Sequence, residues 1–232
     1  MPHILVIGGR DFTMRCYPAL KLKFTLIQRQ DHATDYQREI SHKCVEFDYH
    51  KSSSLELAKQ LHKEDPFTHI VSVTEFGLQP AADISEALNL PTNCEPRAIR
   101  ITRDKVLMRE ALEEAGLNTV PFKRIHTLED LESFLELHGK AIVKPASGAG
   151  SFGVQLIEDK AQAKKAMEHA AAVNMGDTFA EGFIGGTEYS IESMSKNGHH
   201  EIITITEKLT TGAPHFVESG HTQPARLPAD IR

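Results

Sequence analysis

The chain carries little cysteine, no excess of basic charge and no long apolar run, and each shortage narrows what it can be. Its three cysteines, Cys16, Cys44 and Cys94, are scattered, odd in number and without metal-ligand spacing. They supply neither a disulfide framework nor a zinc site, and a reducing, cytoplasmic setting is expected. Against 26 lysines and arginines stand 32 aspartates and glutamates, a formal net charge of −6. Nucleic-acid binding, which usually shows a basic domain or patch, is not expected. Any site for a polyanion must be a local gathering of lysines and backbone donors. No stretch approaches the ~18 apolar residues that span a bilayer, so no membrane partner is expected. Met1-Pro2-His3 before Ile4–Ile7 lacks the basic flank and apolar length of a signal peptide. The 13 histidines are dispersed, with no HxxxH or HExxH pattern. What remains, 232 residues of which 40% are hydrophobic and 25% charged, is enough chain of ordinary globular composition to bury a sizeable core.

Strand and helix patterns alternate along the first part. His3–Ile7 is a short buried strand running into Gly8-Gly9-Arg10, Phe24–Gln28 a second and Cys44–Phe47 a short third. Ser52-Ser53-Ser54 precede helical spacing over Leu55–Lys63. His69–Val73 ends at Thr74-Glu75-Phe76-Gly77, and Pro80–Leu88 reads as a helix closed by Asn89. Such alternation implies a parallel sheet, with ligands beyond the carboxyl ends of its strands, where Gly8-Gly9 and Glu75–Gly77 both fall. Asn93–Arg100 lacks a strong pattern and is taken as a boundary, giving domains at 1–95 and 96–232. Thr102 is expected to cap a helix over Arg103–Ala115 closed by Gly116. Strands at Pro121–Ile125 and Ala141–Lys144 flank a helix over Leu128–His138. Val154–Ile157, a helix over Lys160–Val173 and Phe179-Ala180 follow, then a hairpin about Asn197-Gly198 joining Tyr189–Met194 to Glu201–Glu207. His199-His200-Glu201 at that turn read as a solvated group rather than a metal site.

The most informative stretch is Ala141-Ile-Val-Lys144-Pro-Ala-Ser147-Gly148-Ala-Gly150-Ser151-Phe-Gly153. A strand ends in a lysine and enters a glycine-rich loop, whose bare N–H groups can approach phosphate oxygens while the lysine offsets their charge. Gly148 to Gly153 match G-x-G-x-x-G. The dinucleotide-binding version needs a helix after the loop, and a strand follows here. The protein-kinase version places its lysine downstream with H-R-D and D-F-G later, none of which occurs. A glycine-rich hairpin without a ligand is the remaining alternative for the loop taken alone. Two further segments accompany it. Upstream, Thr102-Arg-Asp-Lys105 opens a helix with a lysine. Downstream, Phe179-Ala-Glu181-Gly-Phe183-Ile184 leads to Glu188-Tyr-Ser-Ile-Glu192. An apolar strand end can offer backbone groups to a base edge, and a following carboxylate can accept both hydroxyls of a ribose.

Lysine, lysine with glycine loop, then paired glutamates in this order resemble the ATP-grasp superfamily over nearly the whole chain. The resemblance implies an α/β fold: a Rossmann-like pre-ATP-grasp domain over 1–95, then an ATP-grasp domain over 96–232 with its lid at about 118–185. It implies ATP and Mg²⁺ as cofactors. By position, Lys105 and Lys144 would hold the α- and β-phosphates, and Ser147, Gly148, Gly150, Ser151 and Gly153 the loop over the β- and γ-phosphates. Glu181 with the backbone at Phe183 and Ile184 would bind adenine, and Glu188 the ribose.

Phe216-Val-Glu218-Ser-Gly-His221 is similar to the segment of dipeptide-forming L-amino-acid ligases and carnosine-synthase-like enzymes. That similarity assigns Glu218 to the metal-phosphate or substrate side, His221 to the acylphosphate or amine side, and Glu75 to the substrate amino group. The implied partners are ATP and small carboxylate and amine substrates, amino acids among them, with a homo-oligomer possible. In such ligases a later Glu…Glu-x-Asn pair binds the Mg²⁺ ions. No such pair follows in these residues, so the expected C-terminal subdomain is incomplete and Glu218 the one metal candidate. A ligase fragment of little activity is the expectation, and a remnant that only binds nucleotide or a partner the alternative.

Overall fold

The computed structural model describes residues 2–147, 153–172, 176–213 and 216–227. The chain divides into two compact units, Met1–Arg103 and Asp104–Arg232. Among the described residues no helix is long and apolar enough to cross a membrane.

The first unit contains β1 (His3–Ile7), α1 (Asp11–Met14), α2 (Tyr17–Leu20), β2 (Lys23–Gln28), α3 (Asp35–Ile40), β3 (Lys43–Glu46), α4 (Ser54–Glu64), β4 (His69–Val71), α5 (Leu78–Leu88) and α6 (Pro96–Arg103). Its four strands are parallel in the order β3-β2-β1-β4. Alternate residues of the apolar strands serve opposite faces. Leu5, Ile7, Ile27 and Ile70 join one buried cluster, while Val6, Phe24 and Leu26 join another. Both faces are covered, which is why these strands are apolar without polar alternation. Among the buried polar residues, Gln28 donates from Nε2 to Gly9 O (2.8 Å) and Gln37 Oε1 (3.2 Å). Gln37 in turn donates to Asp11 Oδ1 (2.9 Å), so side-chain amides hold the turn after β1. Gly8 in that turn has φ +65° and lies against the Tyr49 ring.

The second unit contains α7 (Lys105–Glu114), β5 (Phe122–Ile125), α8 (Leu128–His138), β6 (Ala141–Pro145), β7 (Gln155–Ile157), α9 (Lys160–Ala172), β8 (Thr178–Gly182), β9 (Glu188–Lys196), β10 (His199–Thr210) and β11 (Glu218–Thr222). They form two antiparallel sheets, β5-β8-β6-β7 and β11-β10-β9. In the first, β6 and β7 pair Ala141↔Ile157, Ile142↔Leu156 and Val143↔Gln155, the strand-to-strand setting expected of the glycine loop. One face of this sheet buries Ala141, Val143 and Ala180 with Leu131 and Phe134 of α8 and Ala163 and Ala166 of α9. The opposite face carries Lys144 and Glu181. Asn197 and Gly198 both take positive φ, as the hairpin reading required.

The short helices α1, α2 and α3 were not expected, β4 stops at Val71 rather than Val73, and one helix start is displaced. Rather than one helix from Arg103 capped by Thr102, there are two, broken at Asp104. Asp104 is extended (φ −110°, ψ 114°), and its side chain accepts from the N–H groups of Val106 (2.8 Å) and Leu107 (3.1 Å). It also receives Arg124 Nη2 at 2.9 Å. The preceding stretch, expected to be a boundary, becomes α6: Pro96 suits a first helical position, and Ile99 buries one face.

Burial raises the Asp104 carboxyl's pKa, but Arg124 and the two N–H groups outweigh it, and the net shift is downward. The stabilisation is therefore complete above the unfolded value and is lost as pH falls through the folded one. Asp104→Ala is expected to cost about 1–2 kcal/mol at neutral pH. Asp104→Asn should keep much of the cap while flattening the acid limb, both read by urea unfolding across pH. Gly77 is constrained differently, because a Cβ there would lie 2.5 Å from Ile7 O. Gly77→Ala is expected to lower the first unit's melting temperature, measured by circular dichroism.

Candidate functional site

Two walls of the second unit carry the charged residues singled out above. On the first wall, period-two alternation puts Ile142 and Lys144 of β6 on the same face as Phe179 and Glu181 of β8, with Ile142↔Glu181 and Lys144↔Phe179 in register. Glu181 is only 8% exposed. A carboxylate so placed needs partners, since burying an unpaired charge is very costly. It has two. Lys144 Nζ pairs with Oε1, and Arg109 Nη2 of α7 donates to Oε2 at 3.0 Å. Lys144 Nζ also sits 5.4 Å from the centre of the Phe179 ring. Lys105 opens α7, and its N–H donates to Ala146 O (2.8 Å), tying the helix start to the strand end beside Ser147. Ser147 is exposed and Gly153 has φ +71°. Gly148, Gly150 and Ser151 lie outside the described residues.

The second wall is the β9-β10-β11 sheet. Lys208 of β10 stands opposite Glu188 of β9 in register and pairs with it at 2.7 Å. The same ammonium pairs with Glu218 of β11, whose other oxygen lies 3.4 Å from His221 Nε2. Hydrogen bonds to Glu188 and then Glu218 raise the lysine's pKa, and the bond from Lys208 holds the Glu218 carboxyl below the usual carboxylate range.

Between the walls lies a cavity of about 810 Å³. Lys144, Glu181, Phe183, Ile184, Glu188 and Glu218 of the expected set line it, together with Arg109 and Lys208. The Phe183 N–H is already given to Lys140 O (3.1 Å), so that donor is not open to a ligand. Lys105, Ser147, Gly153 and His221 are not among the lining residues. Glu75 belongs to the first unit. There Arg103 Nη1 donates to its carboxylate (2.8 Å) and its carbonyl (2.9 Å), while the neighbouring Thr74 Oγ1 accepts from the Gly77 N–H (3.1 Å).

Sequence reasoning missed Arg109 and Lys208. Arg109 had a signal, being one helical turn after Lys105 and so on the same face. Lys208 had none, because its meaning comes from strands paired across the sheet. His200 Nδ1 bonds Ser195 Oγ (2.8 Å) in the exposed hairpin. Among the described residues no group of three His, Cys, Asp or Glu side chains could hold a metal ion. Glu218 faces a lysine and a histidine instead, so these residues do not by themselves fit Mg²⁺.

Replacing Arg109 by Met leaves Glu181 buried with half its neutralisation. A loss of about 1–3 kcal/mol in urea unfolding is expected. Adding Glu181→Gln should restore part of it, a coupling that a double-mutant cycle measures.

The sequence matches the ATP-grasp domain family over residues 102–230 and the ATP-grasp N-terminal domain family over residues 18–92. Among curated proteins, the alanine–anticapsin ligase of Bacillus subtilis (strain 168) is 30% identical over 187 residues, covering 70% of this chain and 39% of that protein. Among solved structures, the L-amino acid ligase from Bacillus licheniformis superposes with a TM-score of 0.84 at 26% identity, covering 99% of this chain and 56% of that one. N5-carboxyaminoimidazole synthetase from Staphylococcus aureus, solved with ADP, gives a TM-score of 0.77 at 18% identity, with coverage of 99% and 60%. The chain thus spans about two fifths of the curated ligase and rather over half of these solved chains. With both domain types matched in order along its length, and an L-amino-acid ligase among the folds it superposes on, the chain belongs to the ATP-grasp family.

Proposed function

We propose that this chain carries the nucleotide-binding part of an ATP-dependent carboxylate–amine ligase that joins amino acids through an acylphosphate. The observation that carries the reading is the single cavity lined by Lys144, Glu181, Glu188 and Glu218. In this reading Lys105 and Lys144 meet the α- and β-phosphates, and Ser147 to Gly153 cover the β- and γ-phosphates. Adenine lies against Glu181, the Phe183 carbonyl and the Ile184 backbone, and Glu188 takes the ribose hydroxyls. Arg109 has a supporting part. When Lys144 turns from Glu181 toward a phosphate, Arg109 keeps the buried carboxylate neutralised.

Glu218 and His221 stand on the reaction side, and Glu75 is assigned to the substrate amino group. A carboxylate oxygen attacks the γ-phosphorus and ADP leaves. An amine nitrogen then attacks the acyl carbon and phosphate leaves, taking the place of hydroxide, a far poorer leaving group. Water has to be excluded between the two steps, which is the task given to the glycine loop. The names of the Bacillus ligases support amino acids as substrates. Mg²⁺ is part of the proposal as the ion that accompanies the nucleotide, with no step routed through it.

Titration calorimetry with ATP is expected to show binding that Lys144→Ala removes, and unchanged affinity in that variant would refute the site. In an ADP-release screen over pairs of amino acids, little or no release dependent on two amino acids is expected from these 232 residues, and robust turnover would show that they suffice for the reaction. A second reading, nucleotide binding without ligation, is favoured by the engagement of Glu218 with Lys208 and His221 rather than with further acids. ATP binding whose affinity no pair of amino acids alters, with no ADP release, would support it.

A further inference from the structure

Among the described residues, Lys208 is the side chain that pairs with both Glu188 and Glu218 on the second cavity wall, and nothing above gives it a role in the reaction. It is 20% exposed, so its charge is screened by water less than that of a surface lysine. Its partners come from the two strands flanking its own, Glu188 from β9 and Glu218 from β11. On Glu188 it takes Oε1, which fixes the plane of the carboxylate and the direction of Oε2. On Glu218 it takes Oε1 as well, leaving Oε2 beside His221. Two carboxylates brought to one point repel each other, and a shared ammonium removes that repulsion while fixing both rotamers. Glu188 and Glu218 are also assigned different tasks, ribose recognition and the reaction side. Moving either one changes what the ammonium can offer the other.

We propose that Lys208 is a positioning residue that clamps Glu188 and Glu218 together, so that docking of a nucleotide ribose on Glu188 also orders Glu218 for the reacting groups. The inference rests on the ligase reading of the cavity. It goes beyond that reading by coupling the nucleotide half of the site to the substrate half through one side chain. Arginine, with a longer and planar head, would keep the charge but not the geometry of a three-way ammonium contact. Alanine would leave a gap that a small cation can enter.

The test uses the whole chain and three forms of it: unaltered, Lys208→Ala and Lys208→Arg. The first measurement is the ¹³C carboxyl signal of Glu218, assigned by Glu218→Gln and recorded at one pH with and without ADP. It is expected to shift when ADP binds the unaltered protein and to lose that response in Lys208→Ala. The second is calorimetry with ADP. Lys208→Ala should bind about tenfold more weakly, the scale of a lost hydrogen bond to a charged group. Added methylammonium chloride should recover much of that loss in Lys208→Ala and leave the unaltered protein unchanged, with sodium chloride as the ionic-strength control. Lys208→Arg should recover only part. Melting curves verify that each variant is folded. An unchanged response of the Glu218 signal to ADP in Lys208→Ala, or undiminished ADP affinity in it, would overturn the clamp. Failure of the unaltered protein to bind ADP would instead overturn the ligase reading, and the Glu218 signal of Lys208→Ala compared with that of the unaltered protein would still decide whether Lys208 holds Glu218.

Discussion

The second unit is organised around one buried carboxylate. Glu181 sits on β8, the strand flanked by β5 and β6, and is nearly removed from water. An isolated charge there would not be tolerated, so the surrounding elements have to deliver cations to it. β6 supplies Lys144 and α7 supplies Arg109. α7 is held for that purpose at its start, by the Asp104 cap and by the bond from Lys105 N–H to Ala146 O. The demand of a single carboxylate thus sets where a helix begins, which face of a strand carries lysine, and where the first cavity wall lies.

The second wall uses the opposite arrangement, one cation between two carboxylates. Both solutions neutralise charge locally, yet they suit different work. A carboxylate with two cations can lend one to an incoming phosphate and stay neutralised. A lysine with two carboxylates can pass the position of one on to the other. The chain therefore meets its overall negative charge with local pairing and needs no basic surface to handle a polyanion.

Much of this was legible before any coordinates. Strands and helices with apolar periodicity fell where expected, because burial on one or both faces writes itself into period-two and helical spacing. The short elements were harder. α3 follows Thr34, whose side chain accepts from Gln37 N–H, a capping signal that three polar residues conceal. The break at Asp104 was misplaced because Thr102 and Asp104 are both good caps, and the Arg124 partner that selects Asp104 lies on a distant strand. Of the residues that line the cavity, Lys144, Glu181, Glu188 and Glu218 were singled out by order and motif along the chain. Arg109 and Lys208 were not, since neither belongs to a motif.

What the sequence determined by itself was the inventory and its order: which segments alternate, where glycines permit a phosphate-sized turn, and which lysines and glutamates recur in ATP-grasp sequence. Those properties are local, or depend only on spacing along the chain. Tertiary structure decided the pairing. Strand order in two antiparallel sheets chose which cation meets which carboxylate, putting Arg109 on Glu181 and Lys208 between Glu188 and Glu218. The physical reason is that charge neutralisation acts through space over a few ångströms, whereas the residues involved are remote in sequence, so register alone brings them within reach.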